Sequence, residues 1–134
     1  MANNLSVFDI AGRAMSAQLL RLNTTASNMA NAGTVASSKA DAFRALKPVF
    51  ETVGGAPGTA TVKVSQVVTS QAEPTARHDP NNPMADKDGN VWDAAVDGAG
   101  ELVEMMETAR QYQNNVQVLQ TAKSLTLDTL RLGK

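Results

Sequence analysis

Cysteine is missing from this chain of 134 residues. That excludes a disulfide framework, a thiolate metal site and a cysteine nucleophile. Aromatic residues are scarce: Phe8, Phe43, Phe50, Trp92 and Tyr112 are the whole set. Aromatics dominate core energetics in most domains. The apolar 43% is mainly Ala, Val, Leu and Met, which suits narrow helix–helix seams better than a thick core. Neither sign of charge prevails, with 12 basic and 13 acidic residues. Without a basic stripe to neutralise phosphates, no nucleic-acid partner is expected. No apolar run reaches the roughly 18 residues of a membrane span, so membrane insertion is not expected either. Met1-Ala2-Asn3-Asn4-Leu5 carries no positive segment, and no apolar stretch with a small-residue cleavage site follows it. A cleaved signal peptide is therefore not expected, and work outside the cytoplasm requires another route of exit. The length suits one domain, or a small domain with helical extensions.

What is present is periodicity. In residues 5–31 the apolar and small residues fall at Leu5, Phe8, Gly12, Met15, Leu19, Leu22, Ala26 and Met29, alternating steps of 3 and 4. This is the heptad rhythm of a helix seam. Asn3 and Asn4 are candidate N-caps, and Asp9 sits early, where the helix dipole favours an acid. Gly33 is the expected stop. Such a helix is about 40 Å long.

The last segment, 97–132, repeats the pattern at Leu102, Met105, Ala109, Tyr112, Val116 and Leu119, then drifts to Ala122, Leu125 and Leu130. A straight 3.6-residue helix must drift in this way. Asp97 is the expected N-cap. Glu101, Glu104 and Glu107 lie toward the N-terminal end and Arg131 and Lys134 at the C-terminal end, as the helix dipole favours. This helix is about 54 Å long.

Between them the rhythm changes. Residues 34–40 are small and polar, which suits a flexible connector. Residues 49–53 and 59–70 read as two strands around the turn cluster Gly54-Gly55-Ala56-Pro57-Gly58, giving a hairpin that is marginal alone. Residues 73–92 read as a loop, because Pro74, Pro80 and Pro83 block helix and central strand. Val91-Trp92 adds a short strand. The expected fold is mainly α with a small β module: long terminal helices packed as a coiled-coil-like pair, with a short hairpin region and a loop between them. The divisions are 1–33 and 97–134 for the helical core and 34–96 for the module. One pair of narrow seams buries little surface, so the ends are expected to order fully only when neighbouring subunits cover them.

No catalytic, metal or cofactor site is expected. His78, the single histidine, reads as a surface loop residue, since no nucleophile or second base accompanies it. Asp79, Asn81, Asp86, Asp88 and Gly89 suggest a calcium loop, but the EF-hand pattern fails. With Gly89 at the invariant glycine, Met84 and Ala95 occupy positions that require acids. Gly54 to Gly58 lacks the Lys-Ser/Thr ending of a phosphate loop. Glu101, Glu104 and Glu107 read as a solvated acidic face. Arg13 and Arg21 either meet acids of a neighbour or face water.

Two stretches carry a resemblance. Leu22-Asn23-Thr24-Thr25-Ala26-Ser27-Asn28-Met29-Ala30-Asn31 resembles the N-terminal signature of bacterial flagellar rod and hook proteins. Residues 101–134, with Ala109-Arg110-Gln111-Tyr112-Gln113-Asn114-Asn115-Val116 and Leu119-Gln120-Thr121-Ala122-Lys123-Ser124-Leu125, look like the C-terminal helix of that family. The loop Asp79-Pro80-Asn81-Asn82-Pro83-Met84-Ala85-Asp86 is similar to that of its proximal rod members. The connector after Asn31 departs from the pattern, with Phe43 in place of the expected tyrosine. The resemblance implies a structural subunit of the basal-body rod, the shaft that carries torque across the periplasm. It implies contacts with other rod proteins, with copies of itself and with the adaptor between rod and membrane ring. It also implies passage through the flagellar type III export apparatus without a cleaved signal. The expected assembly interface is Phe8, Met15, Leu19, Leu22, Ala26, Asn28, Met29 and Asn31 with Leu102, Met105, Ala109, Tyr112, Val116, Leu119, Leu125 and Leu130. The amides of Asn28 and Asn31 are expected to cap carbonyls or bond a neighbour. The competing readings are a cytoplasmic coiled-coil adaptor or secretion chaperone, a small hydrolase built on His78, and a different rod protein.

Overall fold

The computed structural model describes residues 6–54 and 60–133. Helix α1 spans Val7–Asn31 and helix α2 spans Gly98–Leu132. Between them lie strands β1 (Val35–Ala36), β2 (Leu46–Val53), β3 (Thr61–Thr69), β4 (Thr75–His78) and β5 (Asn90–Asp93). The helical start at Leu5, the caps Asn3 and Asn4, most of the turn after Gly54, and Lys134 lie outside the described residues.

Local chemistry sets the helix ends. Ser6 is the N-cap of α1. Its hydroxyl accepts the Asp9 backbone N–H at 3.1 Å, and Asp9 Oδ2 accepts the Ser6 N–H at 3.0 Å. This capping box satisfies two otherwise orphaned donors. Hydrogen bonds from Ser6 hold the Asp9 carboxyl below its ordinary pKa. Gly33 does not stop the helix by a left-handed turn. The C-cap is Ala32, whose N–H reaches Met29 O at 3.2 Å. At α2, Asp97 is the N-cap as expected, accepting the Gly100 N–H at 3.1 Å.

The β region holds two small sheets. β2 and β3 form the expected antiparallel hairpin, with a register shift between Val49 and Phe50. Pro48 is tolerated inside β2 because a two-stranded sheet leaves one side without a ladder to satisfy. The second sheet has the order β1-β5-β4, with antiparallel pairing throughout. It corrects two expectations. The connector contains β1, which pairs Val35 with Asp93, and the proline-rich loop contains β4, which pairs His78 with Asn90. Arg77 on β4 clasps Asp93 on β5 at 3.2 Å, and the pair raises the guanidinium pKa.

Asp86 closes the loop between β4 and β5. Its Oδ1 accepts the N–H groups of Asp88 and Asn90, each at 2.9 Å. Gly89 sits there at φ +76°, and a Cβ would lie 3.1 Å from both His78 Cε1 and Pro80 Cβ. Gly89→Ala is expected to cost about 1–2 kcal/mol from the left-handed backbone alone. A thermal melt checks this, and an unchanged midpoint would refute it.

The helices pack antiparallel. Asn28 meets Glu101, Arg21 meets Glu104, and Gln18 meets Gln111, so numbering rises on one helix as it falls on the other. Helix α1 also packs on β2 and β3. The core is small and alanine-rich: Ala11, Ala17, Ala36, Ala42, Ala45 and Val91 are its buried apolar residues among those described.

Candidate assembly surface

The joint between the helices and the hairpin is polar. Asn28 is 1% exposed. Its Oδ1 accepts the Leu46 backbone N–H at 2.8 Å, and its Nδ2 donates to the Leu46 carbonyl at 2.9 Å. The side-chain amide thus takes the place of a neighbouring strand at the start of β2. The same Nδ2 reaches Glu101 Oε2 on α2 at 3.1 Å, and Lys47 Nζ lies 2.6 Å from Glu101 Oε1. One asparagine therefore ties α1, β2 and α2 together. A buried carboxylate is tolerated only when it is paired and hydrogen-bonded, and here it is both. Glu104 pairs with Arg21, which also lies over the Phe50 ring at 6.0 Å. The expected solvated acidic face is corrected here: Glu101 and Glu104 point into the chain because their cations and amide do. The alternatives left open for Arg21 close on a partner within the chain. Asn31 Nδ2 donates to the Ser27 carbonyl at 2.8 Å, within its own helix.

The expected seam residues divide into two sets. Met15, Leu22, Met29 and Asn31 on α1, and Met105, Ala109, Tyr112, Val116 and Leu119 on α2, are partly buried within the chain. Phe8, Leu19 and Ala26 on α1, and Leu102, Leu125 and Leu130 on α2, are exposed. The fully buried positions are smaller or more polar: Ala11, Ala17, Thr24 and Thr25 with Asn28 on α1, and Glu101 and Thr108 on α2. Of these only Asn28 belongs to the expected interface; Ala11, Ala17, Thr24, Thr25, Glu101 and Thr108 lie beside the 3–4 rhythm, and threonine and glutamate carry no apolar signal. The inward row of α2 runs Glu101, Met105, Thr108, Tyr112, Asn115, Leu119 and Ala122, at steps of 4 and 3. Buried Thr24 and Thr108 satisfy their hydroxyls on the carbonyls of Leu20 and Glu104, both at 2.7 Å.

A large apolar surface is left outside. On α2, Val103, Met106, Leu125, Leu130 and Leu132 are each more than 60% exposed. Residues 123–132 are exposed without exception. Large apolar side chains exposed in this number along one helix suit a surface that a partner covers. No helix is long and apolar enough among the described residues to cross a membrane.

Comparison with known proteins decides what this surface belongs to. Residues 8–35 match the family model described as flagella basal body rod protein. Residues 87–132 match the C-terminal model of the flagellar basal body rod FlgEFG proteins. The flagellar basal-body rod protein FlgC of Escherichia coli O6:H1 is 48% identical over 132 residues, covering 97% of this chain and 98% of the relative. FlgC of Salmonella typhimurium strain LT2 is likewise 48% identical with the same coverage. FlgC of Aquifex aeolicus is 33% identical over the full length of both chains. This chain belongs to the FlgC family of flagellar rod proteins. As a member of the FlgC family it is a structural subunit of the flagellar basal body, it assembles with other rod components, and it is not an enzyme. The adaptor, chaperone and hydrolase readings are not favoured. His78, at the centre of the last of these, lies exposed with Nδ1 3.2 Å from Asn90 Oδ1.

Proposed function

We propose that the chain is a subunit of the proximal rod, where it stacks with copies of itself and other rod proteins into the shaft that carries torque across the periplasm. The observation that carries this reading is the exposure of leucines on two faces at the end of α2, Leu125 and Leu132 on one and Leu127 and Leu130 on another, in a chain whose relatives are rod subunits. The assembly interface is Phe8, Leu19, Ala26, Leu102, Leu125 and Leu130, the exposed members of the expected set. The partly buried members, such as Met105 and Tyr112, hold the two helices together beneath it. Residues 1–33 and 97–134 serve as the helical core and 34–96 as the module beside it.

Burial in the chain is uneven, with Ala11 and Ala17 covered in the first half of α1 and the end of α2 bare. It concentrates around Asn28, Val91, Glu101 and Thr108 and is absent over 123–132. Isolated helices with little tertiary cover are marginal in water. The junction therefore folds in the single chain, and the far ends of the helices order when neighbours cover them. A chain with ends of this kind passes a narrow type III export channel unfolded and sets at the growing tip. The adaptor between rod and membrane ring is a further partner of the same surface.

An in-frame deletion in the native host, scored for swimming and for basal bodies by electron tomography, tests the reading. Membrane rings without a rod, in cells that do not swim, are expected. Intact rods in swimming cells would refute it.

A further inference from the structure

A groove runs between α1 and β3, on surface that the chain's own α2 leaves open. Gly12, Ala17 and Leu20 of α1 and Val62 and Val64 of β3 line it, together with the charged residues Asp9, Arg13 and Lys63. A Cβ added at Gly12 meets no atom within 4 Å. The lining from Phe8 to Leu20 extends about 18 Å along the helix. An apolar groove bordered by helix and strand is the shape that receives an amphipathic helix.

The end of α2 has the matching form. The exposed stretch 123–132 is about 15 Å long. Leu125, Asp128 and Leu132 fall at steps of 3 and 4, so they share one face. An acid between two leucines is desolvated when that face docks, and it then needs a cation. Arg13 supplies one. Among the described residues no ion pair within 4 Å involves Arg13 or Asp128; Asp9, one turn before Arg13, is hydrogen-bonded by Ser6 and feels the Arg13 charge only through space, and Lys63 lies 3.4 Å from Glu51. The chain cannot fill its own groove. Its helices run antiparallel, and α2 is one unbroken helix that carries 123–132 past the start of α1, away from Leu20.

We propose that the last turns of α2 of one copy seat in the α1–β3 groove of a second copy, with Asp128 of the first against Arg13 of the second. This rests on the rod reading and gives it one specific contact. Groove and helix end are different surfaces, so the contact is head-to-tail. Repeated without closure, it generates a helical assembly.

The test uses the full chain in its native host. Arg13→Asp alone and Asp128→Arg alone are expected to abolish swimming, and the two together to restore it. Both positions are exposed, so each purified variant is expected to keep the parent's unfolding midpoint. Gly12→Leu, whose Cβ meets no atom of its own chain and whose side chain extends from the groove wall, is also expected to abolish swimming. The chain has no native cysteine, so Gly12→Cys with Thr129→Cys gives a clean cross-linking pair in isolated basal bodies. A product at twice the 14.1 kDa chain mass, requiring both cysteines, is expected. Intact rods in either single charge variant, no rescue by the pair, or a cross-link only to a chain of another mass would each overturn the proposal. The last would place another rod protein in the groove. These outcomes leave the rod reading standing, since that reading falls only if the deletion strain builds normal rods.

Discussion

Asn28→Ala is expected to unfold the junction well below the temperature at which the parent melts. The substitution strands three groups at once: the Leu46 N–H, the Leu46 carbonyl and one oxygen of Glu101. An unsatisfied buried polar group costs about 1–3 kcal/mol, so the sum is about 3 kcal/mol or more after partial rehydration. A small domain holds only about 5–15 kcal/mol in all. Urea unfolding followed by circular dichroism measures the loss directly. Asn28→Asp keeps the shape but removes the donor and sets a second acid beside Glu101, so it is expected to be no better than alanine. Alanine within about 0.5 kcal/mol of the parent, the range of ordinary surface substitutions, would mean that the joint is held by something else.

Leu130→Glu is expected to do the opposite, abolishing rods while leaving the single chain as it was. Leu130 is 65% exposed and lies on an outer face of α2 together with Leu127. It stands almost half a turn around the helix from the row of Leu125 and Leu132. A charge there changes the stability of the lone chain by no more than about 0.5 kcal/mol. In the assembly it must be desolvated without a partner, at a cost of several kcal/mol per contact. Equal unfolding midpoints for variant and parent, together with cells that do not swim, are the expected pair of results. Normal swimming would remove Leu130 from the interface.

The two variants separate two jobs that the sequence presents as one. Steps of 3 and 4 identify both helices, and α2 begins at Asp97 as its cap residue suggests. Hairpin pairing between β2 and β3 follows from alternation around a turn cluster. The rotation of the helices is less legible. The rhythm of apolar and small residues selects Phe8, Leu19, Leu102, Leu125 and Leu130, which the chain turns outward, together with Leu22, Met105 and Tyr112, which it half-buries. Close helix contact favours small side chains, so Ala11, Ala17, Thr24 and Thr108 face inward instead. A periodic row therefore gives the existence of a seam but not whose seam it is, within the chain or between chains.

The polar joint was hidden for another reason. Asn28, Leu46, Lys47 and Glu101 come from three separate elements, and nothing local to Glu101 marks it as buried. An acid near a helix start is normally solvated and favoured there by the dipole alone. Strands β1 and β4 escaped because they are short and have little apolar alternation. Thr75, Ala76, Arg77 and His78 are all exposed, and their pairing is supplied by β5.

In the proposed shaft, torque would pass through the same division: a buried joint that holds the helices at a set angle would keep each subunit stiff, and apolar ends covered by neighbours would link the subunits in parallel. The two regions then differ in what holds them, the junction by its own chain and the end of α2 by its neighbours. Amide hydrogen exchange, compared between the purified chain and isolated basal bodies, tests it most directly. Protection of residues 24–31 and 98–108 in both samples is expected, with 123–132 exchanging freely in the lone chain and protected in the rod. Equal protection of 123–132 in both samples, or free exchange there in the assembled rod, would contradict the account.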